Sequence, residues 1–254
     1  MNILFTICGR AGSKGFKNKN LKEMRDVPLV YYTVAVIKGY MKNNPQDVVT
    51  VAVNTDSENL VDILKKQDDV SIIYVDRNPE LAGDSTPKVD VIKVTYETFL
   101  DKGAEFDVVI DLDITSPLRR VVDVENILTE YKSGKYDLVF SVVEARRSPY
   151  FNMVEEKKDG FYRKICSSGY TARQQAPKSY ELNASIYAYS PDFLKSDIQK
   201  TILDYNCGIS VMPDYLVLDI DSEEDFQMMQ YLHEFYCNTD QGLEYVFRQA
   251  EKLI

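Results

Sequence analysis

An α/β fold built on a mostly parallel central sheet flanked by helices is predicted by three features of this 254-residue chain. Short, β-branched apolar runs alternate with longer amphipathic segments, the pattern of strands joined by crossover helices. A hydrophobic content of 44%, a charged content of 28% and the lack of any polar low-complexity tract mark a globular chain. The length suits one large α/β domain or two small ones, and one domain with an excursion is expected.

Taken in order, the strand candidates are Ile3 to Cys8, Val48 to Val53, Ser71 to Val75, Asp107 to Leu112 and Leu138 to Val142, each short enough for a buried central strand. The first helix is expected to take Asp26 as its cap, to hold Pro28 in its first turn and to be apolar nearly all round through Ile37, so that it lies against the sheet. "NTDSENLVDILKK" carries a capping box, Thr55 to Glu58, ahead of Leu60, Val61 and Leu64. "VVDVENILTEYKSG" sets Val124, Ile127, Leu128 and Tyr131 on one stripe and stops at Gly134. A second box, Ser222 to Asp225, opens a last helix within a domain of residues 1–236. There the stripe of Met228, Met229, Leu232 and Phe235 gives neighbouring His233 a structural rather than a catalytic role. Residues 145–185 break the α/β rhythm with turns, aromatics and basic groups, as a binding or pairing element does. The tail, residues 237–254, holds the amphipathic stretch "LEYVFRQAEKLI", expected as a loosely docked short helix.

Thirty basic against forty acidic residues give a net charge of −10, which disfavours nucleic acid and anionic membrane surfaces as partners. No run approaches the ~20 apolar residues of a membrane span, and the first eight residues are too short for a secretory leader. Four scattered cysteines with a single histidine suggest neither a zinc site nor a disulfide framework, and a cytoplasmic location is expected.

Against that acidic background, "ICGRAGSKGFKNKNL" places a basic, glycine-spaced loop just past the first strand, where such sheets put their ligands. Gly9, Gly12 and Gly15 let backbone N–H groups approach a ligand, and Arg10, Lys14 and Lys19 add positive charge, so a polyphosphate is the natural guest. The G-x-x-G-x-x-G spacing matches neither the Walker loop nor the dinucleotide fingerprint, and a solvated flexible loop is the competing reading. In "VIDLDITSPLRR", Asp111 and Asp113 flank a strand exit and Thr115 and Ser116 offer hydroxyls. Carboxylates so placed suit Mg²⁺, while for Arg120 a role in capping the next helix is preferred. In "LVLDIDSEEDF", Asp219 and Asp221 lie two apart on an expected strand end, so both face one way and favour a hard cation; a plain helix cap is the rival reading. Arg146, Arg147, Arg173 and Lys178 gather near Tyr150, Phe151, Tyr180 and Tyr187, a mixture of guanidinium and aromatic surface that an acidic sugar requires.

From Asn2 to about Tyr236 these segments together resemble the acylneuraminate cytidylyltransferases, which make CMP-activated sialic and related nonulosonic acids. "RAGSKGFKNKNL" is similar to the family's R-x-x-S-K-G-x-x-x-K-N-L motif, "TSPLR" to its second motif, "RQQAPKSYELNASIY" to R-Q-x-x-P…N-[GA]-[AS]-I-Y, and "DIDSEEDF" to D-I-D…D-[LF]. The resemblance implies a Rossmann-like nucleotidyltransferase fold and a homodimer whose excursion reaches the partner's site. It further implies a reaction in which an acidic nine-carbon sugar and CTP give the CMP-sugar and pyrophosphate with Mg²⁺. By position it places Arg10, Gly12, Ser13, Lys14, Lys19, Asn20 and Arg77 on the nucleotide, and Asp219 and Asp221 on the metal. Asp113, Thr115, Ser116, Arg173, Gln174, Asn183 and Tyr187 fall on the sugar-acid side. Many sialic-acid enzymes read L-Q-P-T-S-P-L-R where this chain has Asp113, an acceptor-only carboxylate in place of an amide; that variant looks most like a legionaminic-acid branch.

The expected chemistry is in-line attack of the anomeric hydroxyl on the α-phosphorus, with Arg10, Lys19, Asp113 and Asp221 as catalytic candidates. Asp221, Asp113 and a metal-bound water stand as alternative bases. The rival functions are a cytidylyltransferase for another sugar acid, such as deoxy-manno-octulosonate, or for an alcohol phosphate, and a non-catalytic sugar-nucleotide-binding subunit.

Overall fold

The computed structural model describes residues 1–12, 15–83 and 86–254. In chain order its elements are β1 (Asn2–Cys8), the short pair β2 (Glu23–Met24) and β3 (Val27–Pro28), α1 (Leu29–Asn43), β4 (Val48–Thr55), α2 (Glu58–Leu64), β5 (Ile73–Asp76), α3 (Lys88–Leu100), β6 (Val108–Leu112), α4 (Val121–Ser133) and β7 (Leu138–Glu144). After these come β8 (Val154–Glu156), β9 (Tyr162–Lys164), β10 (Tyr180–Tyr189), α5 (Pro191–Lys195), β11 (Cys207–Met212), α6 (Glu223–Tyr236) and α7 (Gln241–Glu251).

Seven strands form one sheet in the order β11-β7-β10-β6-β1-β4-β5. Every neighbouring pair is parallel except those made by β10, which runs antiparallel to both β6 and β7. The sheet is therefore α/β and mostly parallel, as predicted, and the five strand candidates all form. Two strands of this sheet were not foreseen: β10, within and beyond the excursion, and β11.

Side-chain alternation along each strand divides the core. Ile3, Phe5 and Ile7 of β1 join Val108, Ile110 and Leu112 of β6 under α1, α4, α6 and α7. Leu4 and Val109 face α3 and α5 on the other side. The same period of two sends Thr6, Cys8 and Asp111 to the α3 face, so a carboxylate lies where the core is otherwise apolar. That placement organises the site described below.

Two helix starts differ from the sequence reading. Asp26 does not cap α1: Arg25 and Asp26 both have positive φ, 54° and 63°, and form the two-residue turn of the β2–β3 hairpin. Primed turns of this kind suit hairpins because their twist matches that of the strands. Pro28 is the N-cap instead, and α1 continues past Ile37 to Asn43. Ahead of α2 the cap is Ser57, whose hydroxyl accepts from Leu60 N–H, because β4 runs on through Thr55. Gly134 does end α4, in an extended rather than left-handed conformation. Arg120 and Asp123 cap α4, and the Ser222–Asp225 box opens α6 as read.

The tail is more firmly held than expected. Asp240 caps α7, and Leu243, Val246, Phe247 and Ala250 are buried in the main core. Phe247 stacks on His233 at 3.8 Å between ring centroids and meets Tyr32 edge-on at 5.7 Å, so His233 is a core residue. No helix among the described residues is long and apolar enough to cross a membrane.

Candidate active site

The C-terminal ends of β1, β5 and β6 open on one cleft of about 180 Å³. Its walls bring together Arg10, Gly12, Lys19, Asn20, Arg77, Asp113 and Thr115, seven of the residues singled out in the sequence. Ser13 and Lys14 lie outside the described residues.

The glycine loop is fastened at several points. Gly9 N–H donates to the Asn54 carbonyl at 3.2 Å, Ala11 N–H to Asp56 at 2.7 Å, and the Asn20 amide to the Arg10 carbonyl at 3.1 Å. Phe16, 6% exposed, drops into the core against Phe226 and anchors the far side of the loop. A Cβ on Gly15 would stand 3.0 Å from the Asp221 carbonyl, so the loop sits directly on the "DID" segment. Lys19 crosses this contact: its ammonium donates to Asp221 Oδ1 at 2.7 Å and to the Ile220 carbonyl at 3.0 Å. On the opposite wall the Arg77 guanidinium is held by Asn54, through Nε to Oδ1 at 2.9 Å and Nη2 to the backbone carbonyl at 3.1 Å. Two fixed cations thus face each other across a cleft sized for a small anionic ligand.

Asp219 is half-buried, and its proton affinity is raised by burial first and then by the neighbouring charges of Asp221 and Asp113. The expected strand end does not form over this segment, Asp221 is ion-paired with Lys19 at 2.7 Å, and Asp219 is the carboxylate of the pair that is short of positive charge. Among the described residues no group of three or more His, Cys, Asp or Glu side chains is placed to hold a metal. A hard cation held by these two carboxylates would complete its shell with water and phosphate oxygens, which suits Mg²⁺.

One member of the site was not identified from the sequence. Lys88, the first residue of α3, reaches back over the sheet and bridges two carboxylates, Asp111 Oδ2 at 2.6 Å and Asp113 Oδ2 at 2.7 Å. Asp111 is fully buried and also accepts from Thr6 Oγ1 at 2.8 Å. A carboxylate there requires a cation, since an unpaired buried charge costs several kcal/mol. Burial alone would raise the Asp113 carboxyl, but Lys88, together with the Thr115 N–H and hydroxyl at 2.9 Å each, brings it down to about 2. Burial acts against the Lys88 ammonium too, and the two aspartates outweigh it, holding its pKa well above the ordinary lysine value.

The remaining predicted residues divide into three groups. Ser116 and Asn183 lie beneath the cleft. Asn183 accepts from Ser141 Oγ at 2.6 Å and donates to the Leu216 carbonyl at 3.1 Å, while Ser116 Oγ donates to the Asn183 carbonyl at 3.3 Å. Arg119 underpins them, its fully buried guanidinium donating to the Ser185 carbonyl at 2.7 Å and to Thr33 Oγ1 at 2.9 Å. Tyr187 lines a second, largely apolar pocket of about 520 Å³ on the far side of Lys88, and burial pushes its hydroxyl up to about 12. Arg173 and Gln174 border a third cleft on the excursion, beside Glu144 and Pro177, with Arg173 donating to the Ala145 carbonyl at 2.8 Å. The excursion's basic groups are partly engaged: Arg146 pairs with Asp214 at 2.8 Å and Lys178 with Glu144 at 3.5 Å.

Comparison with known proteins matches residues 4–206 to the family model described as "Cytidylyltransferase". The chain is 34% identical to "Post-translational flagellin modification protein B" of Campylobacter coli over 91% of its own length and 94% of that protein's. It is 32% identical to "CMP-N,N'-diacetyllegionaminic acid synthase" of Campylobacter jejuni over the same shares. Among solved structures, a CMP:2-keto-3-deoxy-manno-octonic acid synthetase complexed with CTP superposes with a TM-score of 0.65, covering 92% of this chain and 99% of the other at 15% identity, a likeness of fold.

Proposed function

Because the chain belongs to the cytidylyltransferase family, we propose that it transfers CMP from CTP to the anomeric hydroxyl of a nonulosonic acid of the sialic and legionaminic type, with release of pyrophosphate. The enzyme class, a CTP-dependent nucleotidyltransferase, follows from the family. The sugar acid is argued from the relative that bears the name of a CMP-diacetyllegionaminic acid synthase and from Asp113. One observation carries the site assignment: Arg10, Lys19, Asn20 and Arg77 line a single cleft, and Lys19 joins it to Asp221.

In this reading the loop N–H groups, Arg10 and Lys19 hold the triphosphate, and Arg77, fixed by Asn54, meets the nucleotide from the other wall. Asp219 and Asp221 would hold Mg²⁺, which when bound offsets charge on the transferring and leaving phosphates. Lys19 exchanges its contact with Asp221 for a phosphate oxygen as the nucleotide enters. Of the chain's own candidate bases, Asp113 is a poor one, because a carboxylate ionised down to pH ~2 has little tendency to take a proton at neutral pH. Asp113 serves instead as a fixed acceptor. The protein is read as a cytoplasmic homodimer, with Arg173 and Gln174 on the excursion reaching the partner's site.

Pyrophosphate release with CTP and Mg²⁺, measured across sialic, legionaminic, pseudaminic and deoxy-octulosonic acids, tests this function. Asp221→Asn should lower turnover at least ~1,000-fold with an unchanged unfolding transition. Near-normal release by that variant overturns the metal assignment. CTP binding without release on any sugar acid overturns the transferase reading in favour of a binding subunit.

A further inference from the structure

The loop from Gly9 to Asn20 has the composition of an anion-binding loop with one exception: Phe16 sets a large apolar ring among glycines, lysines and asparagines. Such a ring offers an anion no hydrogen bond. It enters the main core instead, 6% exposed, and meets the Phe226 ring at 5.7 Å between centroids. The Lys22 ammonium lies over it, 4.6 Å from the centroid. Phe226, itself buried, stands in the first turn of α6, the helix that starts just after Asp221. Phe16 thus ties two segments remote in sequence, the loop that carries the cations and the helix start that follows the carboxylates.

The contacts on either side of the ring follow from where it is seated. Before it, a Cβ on Gly15 would stand 3.0 Å from the Asp221 carbonyl. After it, Lys19 N–H donates to the Phe16 carbonyl at 3.3 Å, with Asn18 left-handed at a φ of 57°, and the Lys19 ammonium reaches Asp221 Oδ1 and the Ile220 carbonyl. The Asp221 side chain is 72% exposed, so its ion pair with Lys19 is a weak tie in water. The buried ring is the stronger tie. Its value lies in when the loop becomes ordered. Gly9, Gly12 and Gly15 give the unfolded loop much freedom, and a loop ordered only by its ligand subtracts that loss from the binding free energy. A ring seated in the core shifts the loss to the folding step, and the ligand meets a loop already in place.

Resting on the function proposed above, we propose that Phe16 is a positioning residue for the transfer: it fastens the glycine loop to the first turn of α6 and so sets Lys19 in register with Asp219 and Asp221 before the nucleotide arrives. Phe16 touches no reacting atom and acts through the loop it holds. Its contribution is therefore to CTP affinity, and turnover is spared once CTP is bound.

The test compares Phe16→Ala, Phe16→Leu and Phe226→Ala at a temperature where thermal unfolding shows each variant folded. CTP binding is measured by calorimetry with Mg²⁺, and pyrophosphate release with the best acceptor among the nonulosonic acids. Phe16→Ala should weaken CTP binding by ~10-fold or more and raise KM for CTP in step, while kcat at saturating CTP stays within ~3-fold. Phe16→Leu, which keeps an apolar anchor, should hold Kd within ~3-fold of the unaltered protein. Phe226→Ala removes the same contact from the helix side and should reproduce the loss; the double variant should lose little more than either single one. It also carries the test if Phe16→Ala does not fold. A role confined to stability gives the reverse pattern, since loss of folded enzyme lowers apparent kcat and leaves KM for CTP unchanged. That pattern, or a folded alanine variant whose Kd for CTP stays within ~3-fold, overturns the proposal. CTP binding by the unaltered protein without pyrophosphate release on any sugar acid overturns the transferase reading instead, and Kd alone then decides the role of Phe16. No CTP binding by the unaltered protein overturns both.

Discussion

Replacing Phe247 by alanine tests whether α7 is part of the cooperative core. The Phe247 ring is fully buried, stacked on His233 and edge-on to Tyr32. A phenylalanine buries roughly 200 Å² of side chain, worth about 5 kcal/mol at ~25 cal/mol per Å², of which the alanine methyl retains a part. The cavity left among Tyr32, His233 and α1 adds to the loss, so the variant should be less stable by about 3–5 kcal/mol. In a chain of this size each kcal/mol moves the midpoint by ~2–4 °C, so Tm should fall by roughly 6–20 °C. Guanidinium unfolding at pH 7, with protein concentration held constant, gives the free-energy change directly. KM for CTP should not change at a temperature where both proteins are folded, because Phe247 does not line the cleft. A loss below about 1 kcal/mol would mean that the tail frays independently of the sheet, and the core assignment of α7 would be wrong.

Two further perturbations probe the interior. His233 is the only histidine, and burial, aided by Arg25, lowers its pKa from 6.5 to about 4. The unfolded chain therefore binds more protons between those values, and stability should fall by up to about 3 kcal/mol as pH drops from 6.5 to 4. His233→Phe should remove that slope in unfolding experiments run across the range; an identical slope in both proteins refutes the assignment. Asn183→Leu strands the hydroxyl proton of Ser141, whose oxygen still accepts from Ile186 N–H, and the Leu216 carbonyl, and should cost about 2–4 kcal/mol. Unchanged stability with a raised acceptor KM would show Asn183 to be a ligand contact alone.

Much of the fold is legible in the sequence because a buried parallel strand is a continuous apolar run, and five of the seven central strands have that form. β10 escapes the same reading. Its middle, Asn183-Ala184-Ser185, is polar, Ala184 takes a φ of 52°, and the register with β7 shifts between Leu182 and Tyr187. Neither an apolar run nor an alternation survives such an irregularity. The hairpin before α1 is missed for a related reason: Arg-Asp is not one of the glycine-bearing pairs that announce a primed turn. At the site, the loop residues are visible because basic groups and glycines after a strand have few other uses. Lys88 is not, since a lysine opening a helix usually faces solvent. Its one signal is indirect: two carboxylates at the end of a buried strand, Asp111 and Asp113, demand a cation from somewhere.

The reversed direction of β10 has a mechanical consequence. Its first residues pair with Glu144, Val143 and Val142, and its last with Val109, Ile110 and Asp111, so one strand links the excursion to the strand that carries the buried aspartate. Only its last residues, Ile186 to Tyr189, lie against β6, while Tyr180 to Leu182 lie against β7 alone. The excursion and the floor beneath Lys88 thus share one strand, with the irregularity at Ala184 set between them as the place where the two halves can bend apart.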